Sequence, residues 1–285
     1  MPTISPRPAP PRRLSRFLPR RLKWSTIASA IVLIVLALAM LFPQALTTQD
    51  PLALSVRDRL QPPSAAHWFG TDGTGRDVYS RMIYGARYSV GMALIIVLSA
   101  ALIGALVGGL AGFGGGWIDQ SMMRVVDIFL AFPYFILALA IASALGRGMG
   151  TAVLALTLVW WPSYARMIRG QVLSIKQNVF VDAARAVGVP NHSLILRHIL
   201  PHTTNEMNVR ITLDLGYVIL ALTGLSFLGL GAQNPTPEWG LIVSDARLFV
   251  FRAWWYAVLP GLVIFVTVLA FVILGDAFTE RRFRS

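Results

Sequence analysis

Residues 88–113 read YSVGMALIIVLSAALIGALVGGLAGF, a run without one charged side chain. A bilayer core of roughly 30 Å is crossed by about 20 predominantly apolar helical residues, so this stretch predicts a membrane-spanning helix. Within it and just beyond, Ala100, Gly104, Gly108, Gly112 and Gly116 recur at every fourth position. That spacing gathers small residues on one helix face, where a second backbone can approach closely. The reading is a packing seam whose partner helix the sequence leaves open.

Working outward, five further apolar runs stand at 24–42, 125–145, 151–164, 211–230 and 253–274. The expected fold is therefore an all-α membrane protein of about six transmembrane helices. Composition agrees: hydrophobic residues make up 55% and charged residues 13% of 285 positions, with a mean hydropathy of +0.64. Soluble domains carry about a quarter charged residues. There is no cysteine, which excludes a disulfide framework and a thiolate metal site.

The net charge of +12 would suggest nucleic acid in a soluble protein. Among apolar spans it points instead to basic cytoplasmic loops, so no nucleic-acid partner is expected. With both ends inside, segments 1–23, 114–124, 166–210 and 276–285 hold 17 of the 25 Lys and Arg residues. The other segments keep eight. The expected topology is N-in and C-in, with outer loops at 43–87 and 231–252 and a long inner loop at 166–210. Segment 1–23 is rich in Pro and Arg and has no acidic residue, which fits a tail held near anionic lipid headgroups. The first span is long enough to cross and lacks a small-residue cleavage pattern, so it does not read as a removable signal.

Proline stands in or at the ends of three spans, at Pro133, Pro162 and Pro260. Each removes a helical hydrogen bond and predicts a kink in a packed bundle. Charged residues near lipid need partners. Arg210 and Asp214 at i, i+4, and Arg124 and Asp127 at i, i+3, can each close on one helix face.

No catalytic constellation emerges. The chain has no G-x-x-x-x-G-K-[ST] run, so no phosphate loop is present. The stretch Gly70, Thr71, Asp72, Gly73, Thr74, Gly75, Arg76, Asp77 resembles one in composition only. It reads as an ordered turn cluster in which Asp72 and Asp77 satisfy local backbone donors. His198 and His202 at i, i+4, with His192 nearby, lack a carboxylate between them, and no metal site is expected. Ile273-Leu274-Gly275-Asp276 is faintly similar to the motif of aspartyl intramembrane proteases, with Asp214 the one candidate partner aspartate, and this stays a minor alternative.

The inner loop carries the most specific pattern. In residues 180–187, Phe180, Ala183, Ala184 and Val187 form the apolar face of a short amphipathic helix. Gly188 follows as a left-handed cap, and Pro190 holds Val189 extended. A second short helix is expected through 194–200, ending near Pro201.

Asp182-Ala183-Ala184 with Arg185, Gly188 and the later Ile199-Leu200-Pro201 resembles the "EAA" loop of bacterial ABC importer permeases. In that family the loop forms a coupling helix that docks on the cytoplasmic ATPase. The usual first residue is glutamate, and here it is Asp182. Gly70, Thr71, Asp72, Gly75, Arg76, Asp77 and Arg81 are similar to the extracytoplasmic segment of the second permease subunit of dipeptide, oligopeptide and nickel importers. Leu225-Ser226-Phe227-Leu228-Gly229, Trp239-Gly240 and Gly275-Asp276 resemble its later segments. After Asp276 this chain departs from the family, with Ala277-Phe278-Thr279-Glu280 and a basic tail.

The resemblance implies a type I ABC importer permease fold in a bacterial inner membrane. The expected domains are a tail at 1–23, a first helix at 24–42, a core of five helices at 88–276 and a tail at 277–285. The implied partners are a homologous permease forming a heterodimer, two ATPase subunits and an extracytoplasmic substrate-binding protein. ATP and Mg would sit on the ATPases, and no cofactor is expected in this chain. The implied cargo is di- or oligopeptide, with nickel or a metal chelate as the alternative. A standalone channel is a further, minor reading.

Overall fold

The computed structural model describes residues 24–47 and 49–282. The basic tail at 1–23 and residues 283–285 lie outside the described residues. Nine helices organise the rest: α1 (Trp24–Leu41), α2 (Val78–Gly114), α3 (Gly116–Leu130), α4 (Tyr134–Leu145), α5 (Met149–Ile175), α6 (Val179–Ala186), α7 (Asn191–Phe227), α8 (Trp239–Ala246) and α9 (Trp254–Arg282). Shorter turns lie between them, and among the described residues the one β pairing is an isolated bridge between Thr71 and Asp77.

α1, α2, α7 and α9 are each long and apolar enough to cross a membrane, and the bent pair α3–α4 passes the same test only when its two helices are taken together. The expected fourth span, 151–164, is the N-terminal part of α5. α5 is 27 residues long, about 40 Å at 1.5 Å per residue, but Trp160, Trp161, Tyr164, Arg166 and Arg169 dilute its hydropathy. Its buried face, including Ala155, Leu156, Tyr164 and Ile168, meets protein and not lipid.

α2 and α5 form the central pair, with α7 against both, α9 on α7 and α1 on α9. The small-residue seam of α2 faces α5 of this same chain. A Cβ on Gly104 would stand 2.3 Å from the Tyr164 Cβ, and one on Gly112 would stand 2.9 Å from the Val172 Cβ. Only hydrogen at these positions lets the two backbones meet. Gly116 falls outside the seam: α2 ends at Gly114, and the space beside Gly116 is open.

Several expected boundaries are corrected. α2 starts at Val78, ten residues before the apolar run, because Asp77 caps its first turn and its polar N-terminal turns are buried by protein. The span expected at 125–145 is broken: α3 and α4 meet at 89° across residues 131–133. Pro133 has no N–H to continue the ladder and holds an extended conformation at the start of α4. Pro162 and Pro260, by contrast, lie within continuous helices. The loop expected at 166–210 shrinks to the neighbourhood of α6, since α5 runs to Ile175 and α7 begins at Asn191. Pro201 does not end a helix. The turn Leu194–Ile199 just before it is π-helical, with the Leu200 N–H reaching the Ile195 carbonyl, and the proline falls in the first turn of the α-helical stretch that follows. The outer loop expected at 231–252 contains α8, and the tail expected from 277 is helical through Arg282.

Candidate functional site

The segment around α6 is held by a small apolar cluster of its own. Val181 of α6 is fully buried against Ile168 and Val172 of α5 and Leu194 and Ile199 of α7, with Ala184 and Val189 beside it. The packed face therefore runs through Val181 and Ala184. The expected stripe of Phe180, Ala183, Ala184 and Val187 is shifted, because the cluster lies toward Val181. Phe180 lies flat on the His202 ring, with centroids 5.1 Å apart. Val179 and Val187 are more than three-quarters exposed, and Ala183 is exposed too. Asp182 and Arg185 are exposed and form a pair at 3.3 Å.

The turn after α6 is as expected. Gly188 has φ +81°. Its N–H donates to the Arg185 carbonyl (2.9 Å), and the Val189 N–H donates to the Ala184 carbonyl (3.1 Å). This is a Schellman turn, which closes the helix and sends the chain off at a sharp angle.

The second group of sequence candidates forms a compact knot before α2. Asp72 is wholly buried. Its Oδ1 accepts from the Thr74 N–H and hydroxyl, both at 2.7 Å, and from the Arg76 N–H at 3.0 Å. Its Oδ2 accepts from Arg76 Nε at 2.7 Å and Arg81 Nη1 at 2.5 Å. Burial works to raise the Asp72 carboxyl, but the Arg81 guanidinium, the Thr74 hydrogen bonds and Arg76 together outweigh it and hold it below the usual carboxylate range. Asp77 accepts from the Ser80 N–H at 2.7 Å and pairs with His67 Nδ1 at 2.9 Å. Gly70 and Gly75 both have positive φ, and a Cβ on Gly75 would collide with the Ser55 carbonyl. Thr71 hydrogen-bonds the Gln61 backbone N–H. The turn-cluster reading holds, and the two arginines extend it into a buried charge network.

Charged side chains on the helices pair partly as expected. Arg210 Nε meets Asp214 Oδ2 at 2.8 Å within α7. Asp127, however, pairs with Arg166 of α5 at 2.5 Å and not with Arg124. Asp119 takes Arg169 through both carboxylate oxygens, at 2.5 and 2.6 Å. Both join α3 to α5 across about forty residues or more, beyond the reach of local spacing. Asp214 is buried and engaged by Arg210, whereas Asp276 is exposed. His198 and His202 bond to the carbonyls of Ser193 and His198.

Sequence reasoning passed over Glu238. It is fully buried at the start of α8, accepts from the Leu241 N–H (2.9 Å) and the Ser89 hydroxyl (3.2 Å), and thereby ties α8 to α2. Burial raises its carboxyl against those hydrogen bonds. The signal available was an acidic residue one place before a helix start.

Comparison with known proteins adds the following. Residues 100–284 match the family described as "Binding-protein-dependent transport system inner membrane component". The chain is similar to the probable D,D-dipeptide transport system permease protein DdpC of Escherichia coli K12, 40% identical over 95% of this chain and 93% of that one. It is similar to the nickel transport system permease protein NikC of the same strain, 38% identical over 90% and 93%. Among solved structures, an inward-facing MetNI methionine ABC transporter chain aligns with a TM-score of 0.58 over 70% of this chain and 95% of that one, at 19% identity, which shows a shared fold.

Proposed function

This chain belongs to the family of binding-protein-dependent inner membrane transport components, the permease subunits of dipeptide, oligopeptide and nickel ABC importers, and from that premise we propose that it forms half of a path for short peptides and takes its drive through α6. In this reading a homologous permease completes the path, two ATPase subunits bind from the cytoplasm, and a substrate-binding protein delivers cargo from the other side. The ATP and Mg are held by the ATPases.

The observation that carries the proposal is the form of α6. It presents Val179, Asp182, Ala183, Arg185 and Val187 to solvent from a backbone fixed by Val181 beneath and the Gly188 turn behind. Exposed valines flanking an ion pair on a braced helix suit a protein partner. ATP binding closes the ATPase pair, carries α6 with it and turns the path outward; hydrolysis resets it. The excess of basic residues in 1–23, around α6 and after Asp276 supports a cytoplasmic position for both ends and for α6. The Asp72 knot serves as the rigid base of the extracytoplasmic segment.

The test is site-directed cross-linking in the assembled complex. A cysteine at Val187 should cross-link to an ATPase subunit, and one at Gln233 should not; the reverse pattern contradicts the proposal. A nickel or metal-chelate cargo is the second reading, favoured by the similarity to the nickel permease. Loss of nickel or metallophore uptake with intact peptide uptake in cells lacking this gene would select it.

A further inference from the structure

A slot of about 500 Å³ lies among α1, α2, α8 and α9. Leu36 of α1, Met82 of α2 and Trp239 of α8, all buried, form its floor. Ile31 and Val35 of α1 and Leu262 and Val266 of α9 line it too, and each is roughly half exposed. The slot therefore opens sideways between two spanning helices. Among the described residues no charged side chain lines it. Tyr79, Thr267 and Trp239 bring the only polar side-chain atoms, and the Trp239 indole N–H is already given to the Met82 carbonyl at 2.9 Å. Water finds too few partners in such a space to stay. A void would forfeit the dispersion contacts of every lining side chain. A whole helix, about 10–12 Å across, does not fit, because α1, α2 and α9 are in contact with one another. A single hydrocarbon chain meets all three conditions.

We propose that the slot binds one acyl chain of a membrane phospholipid, taken from the leaflet nearest the Asp72 knot. Phe69 and Tyr79 line the slot on that side, and the exposed Trp68 ring lies 4.8 Å from Tyr79. Aromatic rings with a polar tip gather at headgroup level. Exposed Arg87 holds the last turn of α1 by donating to the Met40 and Leu41 carbonyls. Its charge thus stands beside Ala39 and Ala86 of the lining, where a headgroup phosphate can meet it. The inference goes beyond the importer reading and rests on the spanning helices alone. A bound chain completes the packing of α1 on the bundle.

The test uses phosphatidylcholine carrying a diazirine in mid-chain, in nanodiscs that hold the full-length chain alone or in the assembled importer. After illumination, adducts are mapped by mass spectrometry on Ile83 and Val263, half-buried walls of the slot, and on Leu102, an exposed residue of α2 outside it. Ile83 and Val263 should carry adducts in both preparations. Val32→Phe, which fills the slot from α1, should lower them several-fold and leave Leu102 unchanged. Val35→Phe, at the mouth, is the second blocking variant should Val32→Phe fail to insert. No adduct on Ile83 and Val263 while Leu102 is labelled overturns the proposal, and so do adducts that survive both substitutions. Adducts in the isolated chain that vanish in the importer overturn it too, since the permease partner then covers the slot. If no permease or ATPase assembles with the chain, the importer reading falls, and the isolated chain alone decides the lipid site.

Discussion

Gly108 meets Ala165 so closely that a Cβ on the glycine would stand 2.3 Å from the Ala165 carbonyl oxygen. The contact sits at the centre of the α2–α5 pair, around which α7 packs. Gly108→Ala should separate the two helices and lower stability by about 1–3 kcal/mol, the usual cost of overpacking. Gly109 is the internal control, since a Cβ there meets only Leu200 Cδ2 at 3.4 Å. Thermal denaturation in detergent should show a clear loss for Gly108→Ala and little change for Gly109→Ala.

Asp72 neutralises two buried arginines, one of them with no exposed side-chain surface. Asp72→Asn leaves Arg81 buried without its counter-charge and should destabilise the protein by roughly 3–5 kcal/mol. Folded Asp72 is held below its ordinary value, so its contribution is present above the unfolded pKa of about 3.9 and is lost only as the pH falls through the lower folded value. The gap in thermal stability between wild type and Asp72→Asn should therefore be the same at pH 7 and pH 5. A gap that closes by pH 5 would contradict the charge network.

Orientation is open to cysteine labelling because no native thiol competes. In intact cells, cysteines at Pro190, Ser5 and Ser285 should be shielded from an impermeant thiol reagent, and those at Ala65 and Gln233 should react. Labelling at Pro190 from outside would overturn a cytoplasmic position for α6.

Much of this structure was legible in residue spacing. The four-residue period of Ala100 to Gly112 marked the seam, the extent of α1 followed from hydropathy to within a residue, and Gly188 announced its turn. What escaped depended on tertiary surroundings. Hydropathy reports contact with lipid and not helix continuity, so it missed the protein-covered start of α2 and the C-terminal extension of α5. Pro133 was visible as a perturbation, but whether a proline breaks a helix depends on packing: Pro133 stands at an 89° break, and Pro162 lies within a continuous helix. The partner of Asp127 lies 39 residues away on α5, where no local rule reaches. The face of α6 was misjudged because Val181 and Phe180 are equally apolar, and only the position of α5 decides between them.

The central claim is that α6, aimed by the Gly188 turn, transmits the ATPase stroke. No atom lies within 4 Å of a Cβ built on Gly188, so a side chain there meets no clash. The obstacle is the backbone, since φ +81° costs an L-residue roughly 1–2 kcal/mol, which is enough to re-aim α6 without unfolding the bundle. The measurement is cargo uptake and ATP hydrolysis recorded side by side in vesicles reconstituted with the Gly188→Val complex, with Gly188→Asn as the milder change. The account predicts normal insertion and permease pairing, with weak ATPase docking or hydrolysis uncoupled from uptake in the valine variant. Full coupled transport by Gly188→Val would contradict it.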